Sequence, residues 1–318
     1  MEDSVISTLE KFDEGRFEKN VSLKNISRWK IGGTADLIYR PTSVEAIRSV
    51  VSFLQHADVL YAVVGTTSNI LFDSDGFRGV IVIIGEQLEC IKSSDSHLWS
   101  TAGTSAQALA WEAQRQGLSG LEHIVGIPGT VGGLIAMNGG SQRKGIGESV
   151  SKVTALNAKG EVVDLTRPEC KFRYRDSIFD NGFIILSAWF ELAKLDASEI
   201  DERHIRILKS RSGRFPESQP NCGSTFASDP AAYEEFGSPG QMIESIGLKG
   251  YRLGDAQFSP QHANFIVNLG QATSGDVLQL VELARKRIWE ELGHLLRTEV
   301  RYLPSKGRIR PADESCGR

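Results

Sequence analysis

Apolar positions along this chain alternate between helical and strand periods, which predicts short helices and strands mixed along its length. Val44, Ile47, Val50, Val51 and Leu54 recur on one face, so residues 42–54 read as a helix with Thr42 and Glu45 spaced as a capping box. Residues 59–64 and 80–84 are unbroken apolar runs ended by Gly65 and Gly85, the pattern of buried strands. Residues 98–102 predict another strand, and 106–116 a helix closed by Gly117. A hairpin follows from the alternation in 153–156 and 161–165 about a polar turn, then a strand over 183–192 and a polar helix over 198–209. The Gly- and Pro-containing stretch 211–220 reads as a boundary. Near the end, Val277, Val281, Ala284, Ile288 and Leu292 mark a long helix that Ser274 can cap and Gly293 ends. Residues 304–318, rich in charge, Gly and Pro, predict a disordered tail. Strands and helices in separate blocks predict an α+β fold rather than a doubly wound sheet.

A chain of 318 residues exceeds the size at which one core stops growing, so two or three packed units are expected. No apolar run approaches the ~20 residues of a membrane span, and the acidic start Met1-Glu2-Asp3-Ser4 lacks the apolar core of a secretory signal. The expected address is the cytoplasm, with no membrane partner. Cys90, Cys170, Cys222 and Cys316 lie far apart with no Cys-x-x-Cys, which predicts reduced thiols and no metal site. A net charge of −4, with basic residues gathered only around 209–214, gives no field for nucleic acid. A small-molecule substrate is the expected partner, and nothing points to an obligate protein partner.

Five short segments could carry chemistry. Gly65-Thr66-Thr67-Ser68-Asn69 follows a strand and offers backbone amides and hydroxyls in one turn, as a pyrophosphate requires, though taken alone a tight polar turn between two strands is the better reading. It is neither a P-loop nor a Gly-x-Gly-x-x-Gly fingerprint. Gly126-Ile127-Pro128-Gly129-Thr130-Val131-Gly132-Gly133 has so few side chains that a flat ring or phosphate chain could approach its backbone; a turn with glycines at positive φ is the alternative. Gly223-Ser224-Thr225-Phe226 sets a hydroxyl in a polar turn, where serine commonly bonds its own backbone, and lacks the surroundings of a hydrolase elbow. Arg175, in Tyr174-Arg175-Asp176-Ser177, is either a loop arginine paired with a carboxylate or a planar donor for a substrate carboxylate. Glu299, in Glu299-Val300-Arg301, reads alone as a solvated strand residue.

Taken together, these segments resemble the UDP-N-acetylenolpyruvoylglucosamine reductase (UDP-N-acetylmuramate dehydrogenase) family over about residues 25–303. Gly223-Ser224-Thr225-Phe226 matches its Gly-Ser-x-Phe, Tyr174-Arg175-Asp176-Ser177 its Tyr-Arg-x-Ser, and Glu299-Val300-Arg301 its Glu-Val-Arg, with Thr298 where proline is usual. Residues 247–254 and 262–268 extend the match, as scaffold and rim of a substrate-binding domain with His262 in a structural role.

The resemblance implies a two-part FAD-binding unit of the flavin oxidase/dehydrogenase type plus a C-terminal α+β substrate-binding domain. In numbers, an N-terminal segment covers 1–24, the FAD-binding domain 25–195 (subdomains about 25–85 and 86–195), and the substrate domain 196–303. It implies FAD held by Gly65, Thr66, Thr67, Ser68 and Asn69 with Gly126, Ile127, Pro128, Gly129, Thr130, Gly132 and Gly133, non-covalently because the first loop has no histidine. The implied reaction reduces UDP-N-acetylglucosamine enolpyruvate to UDP-N-acetylmuramate for peptidoglycan precursor synthesis. NADPH would reduce FAD, hydride would pass to C3 of the enolpyruvyl group, and Ser224 would protonate C2. Arg175 would hold the substrate carboxylate, and Glu299 would stand beside the reacting double bond.

One stretch departs from the family pattern. Asn138-Gly139-Gly140-Ser141-Gln142-Arg143-Lys144-Gly145 stands where Asn-x-Gly-Ala-Tyr or a similar run is usual. Two other classes share features: a related FAD-dependent sugar or lactone oxidoreductase would lack Gly-Ser-x-Phe and Glu-Val-Arg, and a silent flavin- or nucleotide-sugar-binding paralogue would not need the three catalytic residue types.

Overall fold

The computed structural model describes residues 3–12 and 14–316, with the backbone alone at 3 and 4. Helices and strands are mixed as the periodicity predicts, giving an α+β fold. The chain forms two compact units, the first made of residues up to Glu18, Ile38–Thr66 and Ile81–Ser212, the second of Lys19–Leu37, Thr67–Val80 and Gly213 onward. These differ from the contiguous blocks expected. The chain changes unit inside the strands Gly15–Ser22, Thr34–Pro41 and Phe77–Ile83, where an extended segment runs on with no turn signal at the point of change, and again between Thr66 and Thr67. Near 211–220, where Gly and Pro do mark one, the change falls between Ser212 and Gly213.

In the first unit a five-stranded antiparallel sheet takes the order Val162–Thr166, Val150–Leu156, Ile184–Glu191, His97–Thr101, Ile91–Ser94. The expected hairpin is its edge, with Val162 opposite Leu156 and Thr166 opposite Lys152. Helix Ala106–Arg115 is capped by the Ser105 hydroxyl, which accepts from the Ala108 amide, and buries Leu109, Ala110 and Ala113. Helix Val44–His56 buries Ile47, Val50, Val51 and Leu54 of the five residues picked out by their spacing and leaves Val44 half-buried, but its cap is Ser43, whose hydroxyl accepts from the Ala46 amide at 2.9 Å. Thr42 is one residue too early, because Ser43 already has the extended backbone that a cap needs.

The second unit is built on helix Ser274–Leu292. Its N-cap is Thr273, boxed with Asp276, rather than Ser274, and Gly293 ends it at φ 68°. Val277, Leu280, Val281, Ala284 and Ile288 bury its inner face against Trp29, Ile31, Phe226, Met242, Ile243 and Phe258. Ile70–Phe72 runs parallel to Arg301–Leu303, which pairs on its other side with Arg310–Pro311.

That last pairing corrects the expectation of a disordered tail for residues 304–316; residues 317 and 318 lie outside the described residues. Ala312 is fully buried and its amide donates to the Val300 carbonyl. Asp313 accepts from the Thr298 hydroxyl and pairs with Arg285 at 3.4 Å. The segment has few apolar side chains, so polar anchors hold it where composition offered no signal. Ending the chain after Leu303 removes these ties and should lower the melting temperature by several degrees, at about 2–4 °C per kcal/mol for a chain of this class. Equal melting curves for the full and shortened chains would contradict a folded tail.

His204, on helix Ala197–Arg211, is fully buried, and among the described residues neither of its ring nitrogens has a hydrogen-bond partner. It meets the Trp111 ring edge-on at 4.9 Å between centroids. Burial lowers its pKa below the usual imidazole range, with Glu122 and Asp201 opposing. The unfolded chain therefore takes up this proton first, so stability falls as pH drops through about 6.5. His204→Phe keeps the packing and should flatten part of the fall in melting temperature between about pH 7 and pH 5.5; His123 and His262, also lowered by burial, would keep the remainder. Parallel pH profiles for parent and variant would remove His204 from this account.

Candidate functional site

In the first unit the two glycine-containing segments come together. A Cβ on Gly65 would lie 2.4 Å from the Thr130 hydroxyl oxygen, so only glycine lets the end of strand Tyr61–Val64 approach Thr130. Thr130 caps helix Val131–Ala136, its hydroxyl accepting from the Gly133 amide at 3.3 Å. The amides of Val131 and Gly132 donate to the carbonyls of Thr104 and Ala102, and the Gly129 carbonyl accepts from the Ala106 amide. Gly126, Gly129, Gly132 and Gly133 are absent from the left-handed region, and at Gly126 and Gly132 close packing demands glycine instead. A Cβ on Gly132 would meet that of Ala102 at 2.9 Å, and one on Gly126 would meet the Arg211 side chain at 2.7 Å. Ile127 turns back on Ile124, Pro128 is exposed, and Gly133 has its nearest neighbour at 3.5 Å.

Among the described residues, the amides of Gly65, Thr66, Gly129 and Thr130 donate to no protein acceptor. Neighbouring N–H groups left without partners in Gly-rich turns suit the oxygens of a pyrophosphate. On the donor side, then, these residues fit the phosphate chain of a dinucleotide.

Arg175 also belongs to the first unit. Residues 173–176 make a tight turn in which the Arg173 amide donates to the Asp176 carbonyl and Arg175 stands at φ 54°. Left-handed backbone is costly for a branched-free but bulky residue, so the turn must be held by its surroundings. The Ser177 hydroxyl donates to the Ala136 carbonyl at 2.6 Å, and Arg175 Nη2 donates to the Gly140 carbonyl at 3.0 Å. The guanidinium also lies over the exposed Tyr174 ring at 5.4 Å.

Ser224, Glu299 and Asn69 belong together in the second unit. Gly223 at φ 78° turns the chain, with the Asn221 side chain accepting its amide at 2.9 Å. The next residues form a strand-like run: the Thr225 amide donates to the Asn264 carbonyl at 2.7 Å, and the Thr225 carbonyl accepts from the Glu299 amide at 2.9 Å. Phe226 bridges to Thr298, and the Asn264 side chain grips Phe226 twice, accepting from its amide and donating to its carbonyl, each at 2.9 Å. Asn69 Nδ2 donates to the Glu299 carbonyl at 2.9 Å, and the Arg301 amide donates back to Asn69 at 3.0 Å. Ser224 is half-buried, and among the described residues its hydroxyl has no partner, so it does not tie down its own turn. Below it the buried Cys222 thiol donates to the carbonyls of Thr67 and Ile70, and burial pushes its pKa up to about 12.

Of the remaining residues in the first loop, Thr67 stands at φ 58° with its hydroxyl donating to the Ile26 carbonyl at 2.8 Å and accepting from the Arg28 amide. Its side chain therefore serves the loop rather than a ligand. Ser68 is half-buried. Sequence reasoning gave the Asn264 grip no role, and the polar asparagine inside the apolar run 262–267 was the signal that could have found it.

Comparison with known proteins adds to this geometry. Residues 215–303 match the family model "UDP-N-acetylenolpyruvoylglucosamine reductase, C-terminal domain", and residues 35–166 match "FAD binding domain". The chain is 45% identical over 300 residues to UDP-N-acetylenolpyruvoylglucosamine reductase 1 of Corynebacterium glutamicum, covering 94% of this chain and 90% of that protein. It is 33% identical to the Clostridium novyi reductase, covering 92% and 93%. It also resembles the solved reductase of Thermus caldophilus, with TM-score 0.76 and 32% identity over 91% of this chain and 100% of that one. Among the described residues no helix is long and apolar enough to cross a membrane.

The Asn264 grip yields a stability test. Asn264→Ala leaves the Phe226 amide and carbonyl buried without partners, at about 1–3 kcal/mol for each group. Thr225→Val is the contrast. The Thr225 hydroxyl is fully buried and has no partner among the described residues, so its isosteric removal should be neutral or stabilising. Urea denaturation in which Asn264→Ala costs no more than Thr225→Val would show that the grip carries no weight.

Proposed function

This chain belongs to the UDP-N-acetylenolpyruvoylglucosamine reductase family, an FAD-dependent oxidoreductase family of peptidoglycan precursor synthesis, and we propose a role for each of three residues in that reaction. The substrate is UDP-N-acetylglucosamine enolpyruvate, the product UDP-N-acetylmuramate, and the reductant NADPH, with the chain working in the cytoplasm. FAD, bound without a covalent link and reduced by NADPH, supplies the hydride that adds to C3 of the enolpyruvyl group. Electron density then collects on C2 and its carboxylate, and the remaining work falls to the protein's own side chains.

Arg175 holds the carboxylate. Its guanidinium is planar and permanently charged, and it meets two carboxylate oxygens at once. Glu299 stands by the reacting double bond, held in place by Asn69 and Thr225 through its backbone. Ser224 gives its hydroxyl proton to C2. The observation that carries this reading is the half-buried Ser224 hydroxyl, which has no hydrogen-bond partner among the described residues although the residues after it are gripped firmly. A hydroxyl with no structural duty is available to a substrate. A serine is a weak acid in water, so it acts here only toward an enolate-like carbon of high proton affinity. The amides of Gly65, Thr66, Gly129 and Thr130, which donate to no protein acceptor among the described residues, would hold the cofactor's phosphates.

The two half-reactions separate the roles. Ser224→Ala should fold, bind FAD and accept hydride from NADPH at nearly the parent rate, while reoxidation by the enolpyruvyl substrate falls by about 10²–10⁴-fold. Arg175→Lys, which keeps charge but loses the planar fork, should likewise be impaired only in the second step. Stopped-flow reoxidation of flavin-saturated Ser224→Ala within a few-fold of the parent would remove Ser224 as the proton donor.

A further inference from the structure

The Arg175 turn is held by a neighbour to which the reaction gives no part. Asn138 follows helix Val131–Ala136 by two residues and stands at φ 43°, a left-handed conformation that asparagine tolerates better than most residues. Its carboxamide spans two pieces of irregular backbone. Nδ2 donates to the Arg173 carbonyl at 2.8 Å, and Oδ1 accepts from the Gly147 amide at 2.9 Å. Reversing the amide would set oxygen against carbonyl and nitrogen against N–H, so the orientation is fixed by its partners.

Room for this carboxamide is built in. A Cβ on Gly145 would lie 2.4 Å from Asn138 Oδ1, and one on Gly147 would lie 2.9 Å from the same atom. Between Asn138 and Gly145 the chain folds back so tightly that a Cβ on Gly140 would strike the Lys144 carbonyl at 1.9 Å. The Gly140 carbonyl is the acceptor for Arg175 Nη2. Asn138 is thus tied to both sides of the guanidinium's setting: through Arg173 to the turn that projects it, and through its own loop to the carbonyl that receives one of its N–H groups.

We infer that Asn138 is a positioning residue for Arg175: it locks the 173–176 turn to the 138–147 loop and so fixes the direction in which the guanidinium is presented to a carboxylate. The inference rests on the proposed role of Arg175 as the carboxylate's partner. Asn138 touches no reacting atom; its effect passes through the geometry of a turn that holds a non-glycine residue at φ 54°. Released from Asn138, that turn has a lower-energy backbone to relax into.

Two substitutions separate positioning from folding. Asn138→Asp keeps an acceptor for the Gly147 amide and sets a carboxylate oxygen against the Arg173 carbonyl, which breaks the tie to the turn alone. Asn138→Gly keeps the left-handed backbone and removes both bonds. In the FAD-loaded enzyme, both should retain flavin content and the rate of reduction by NADPH. Reoxidation by the enolpyruvyl substrate should slow by about 10–100-fold, the scale of an ångström-level misplacement of a catalytic group. Substrate affinity, read from the change in the flavin spectrum of the oxidised enzyme, should weaken along with it. Added to Arg175→Lys, Asn138→Asp should slow reoxidation by less than about two-fold more, because both changes remove the same oriented contact.

Parent-like reoxidation in the Asn138 variants, or effects that multiply in full with Arg175→Lys, would overturn the inference and leave the Arg175 assignment standing. Parent-like reoxidation in Arg175→Lys itself would overturn both. Loss of flavin or a lowered melting temperature in both Asn138 variants, with reoxidation per bound flavin unchanged, would show a structural role instead and also overturn it.

Discussion

The second unit depends on a reciprocal pair of buried hydrogen bonds between parts of the chain more than two hundred residues apart. Trp29 is fully buried; its indole Nε1 donates to the Ile266 carbonyl at 2.8 Å, and Asn268 Nδ2 returns a bond to the Trp29 carbonyl at 2.9 Å. Asn268 also accepts from the amides of Gly270 and Ala272. A buried indole N–H without an acceptor would cost a large part of a domain's net stability, so this pairing sets the position of strand Ile266–Asn268 relative to the segment 19–37. Asn264 lies two residues before that strand and grips Phe226, and the carbonyl before Phe226 receives the Glu299 amide. The location of Ser224 and Glu299 follows from Trp29 through this short series of bonds.

Much of this was legible in the sequence. The helix at Val44–His56, the hairpin, the helix at Ala106–Arg115 and the long final helix all showed in apolar spacing, because each buries one face. Their ends were less legible. Ser43 and Thr273 take the capping roles beside Thr42 and Ser274, and adjacent hydroxyl residues give spacing no means of choosing between them. The tail was misjudged for a related reason: its anchors are Asp313 with Thr298 and Arg285, polar pairs that depend on partners distant in sequence or in other elements.

The candidate site was legible by motif rather than by physics. Nothing in the spacing of Ser224, Glu299 and Asn69 announces that they meet, since the parallel pairing of Ile70–Phe72 with Arg301–Leu303 joins segments 231 residues apart in register, from Ile70 to Arg301. The glycines of 126–133 were expected to matter either for turn conformation or for ligand approach. Their backbone angles dispose of the first reason, and for Gly126 and Gly132 the close neighbours Arg211 and Ala102 supply a third that sequence could not reveal.

Asparagine recurs wherever irregular backbone bears on the site. Asn69, Asn138, Asn221, Asn264 and Asn268 each donate to a backbone carbonyl, and Asn138, Asn221, Asn264 and Asn268 also accept from a backbone amide through the side chain. The reason is chemical. A carboxamide offers the same donor and acceptor as a peptide group, so it completes backbone that no neighbouring strand or helix turn can reach. It does this without charge, avoiding the desolvation that a buried aspartate or lysine would incur. Segments that must turn sharply to present Arg175 or Ser224 cannot be held by a regular ladder, and an apolar side chain would leave their amides and carbonyls unpaired. Neutral side chains that imitate the backbone are what let such turns sit against a core and still keep one geometry.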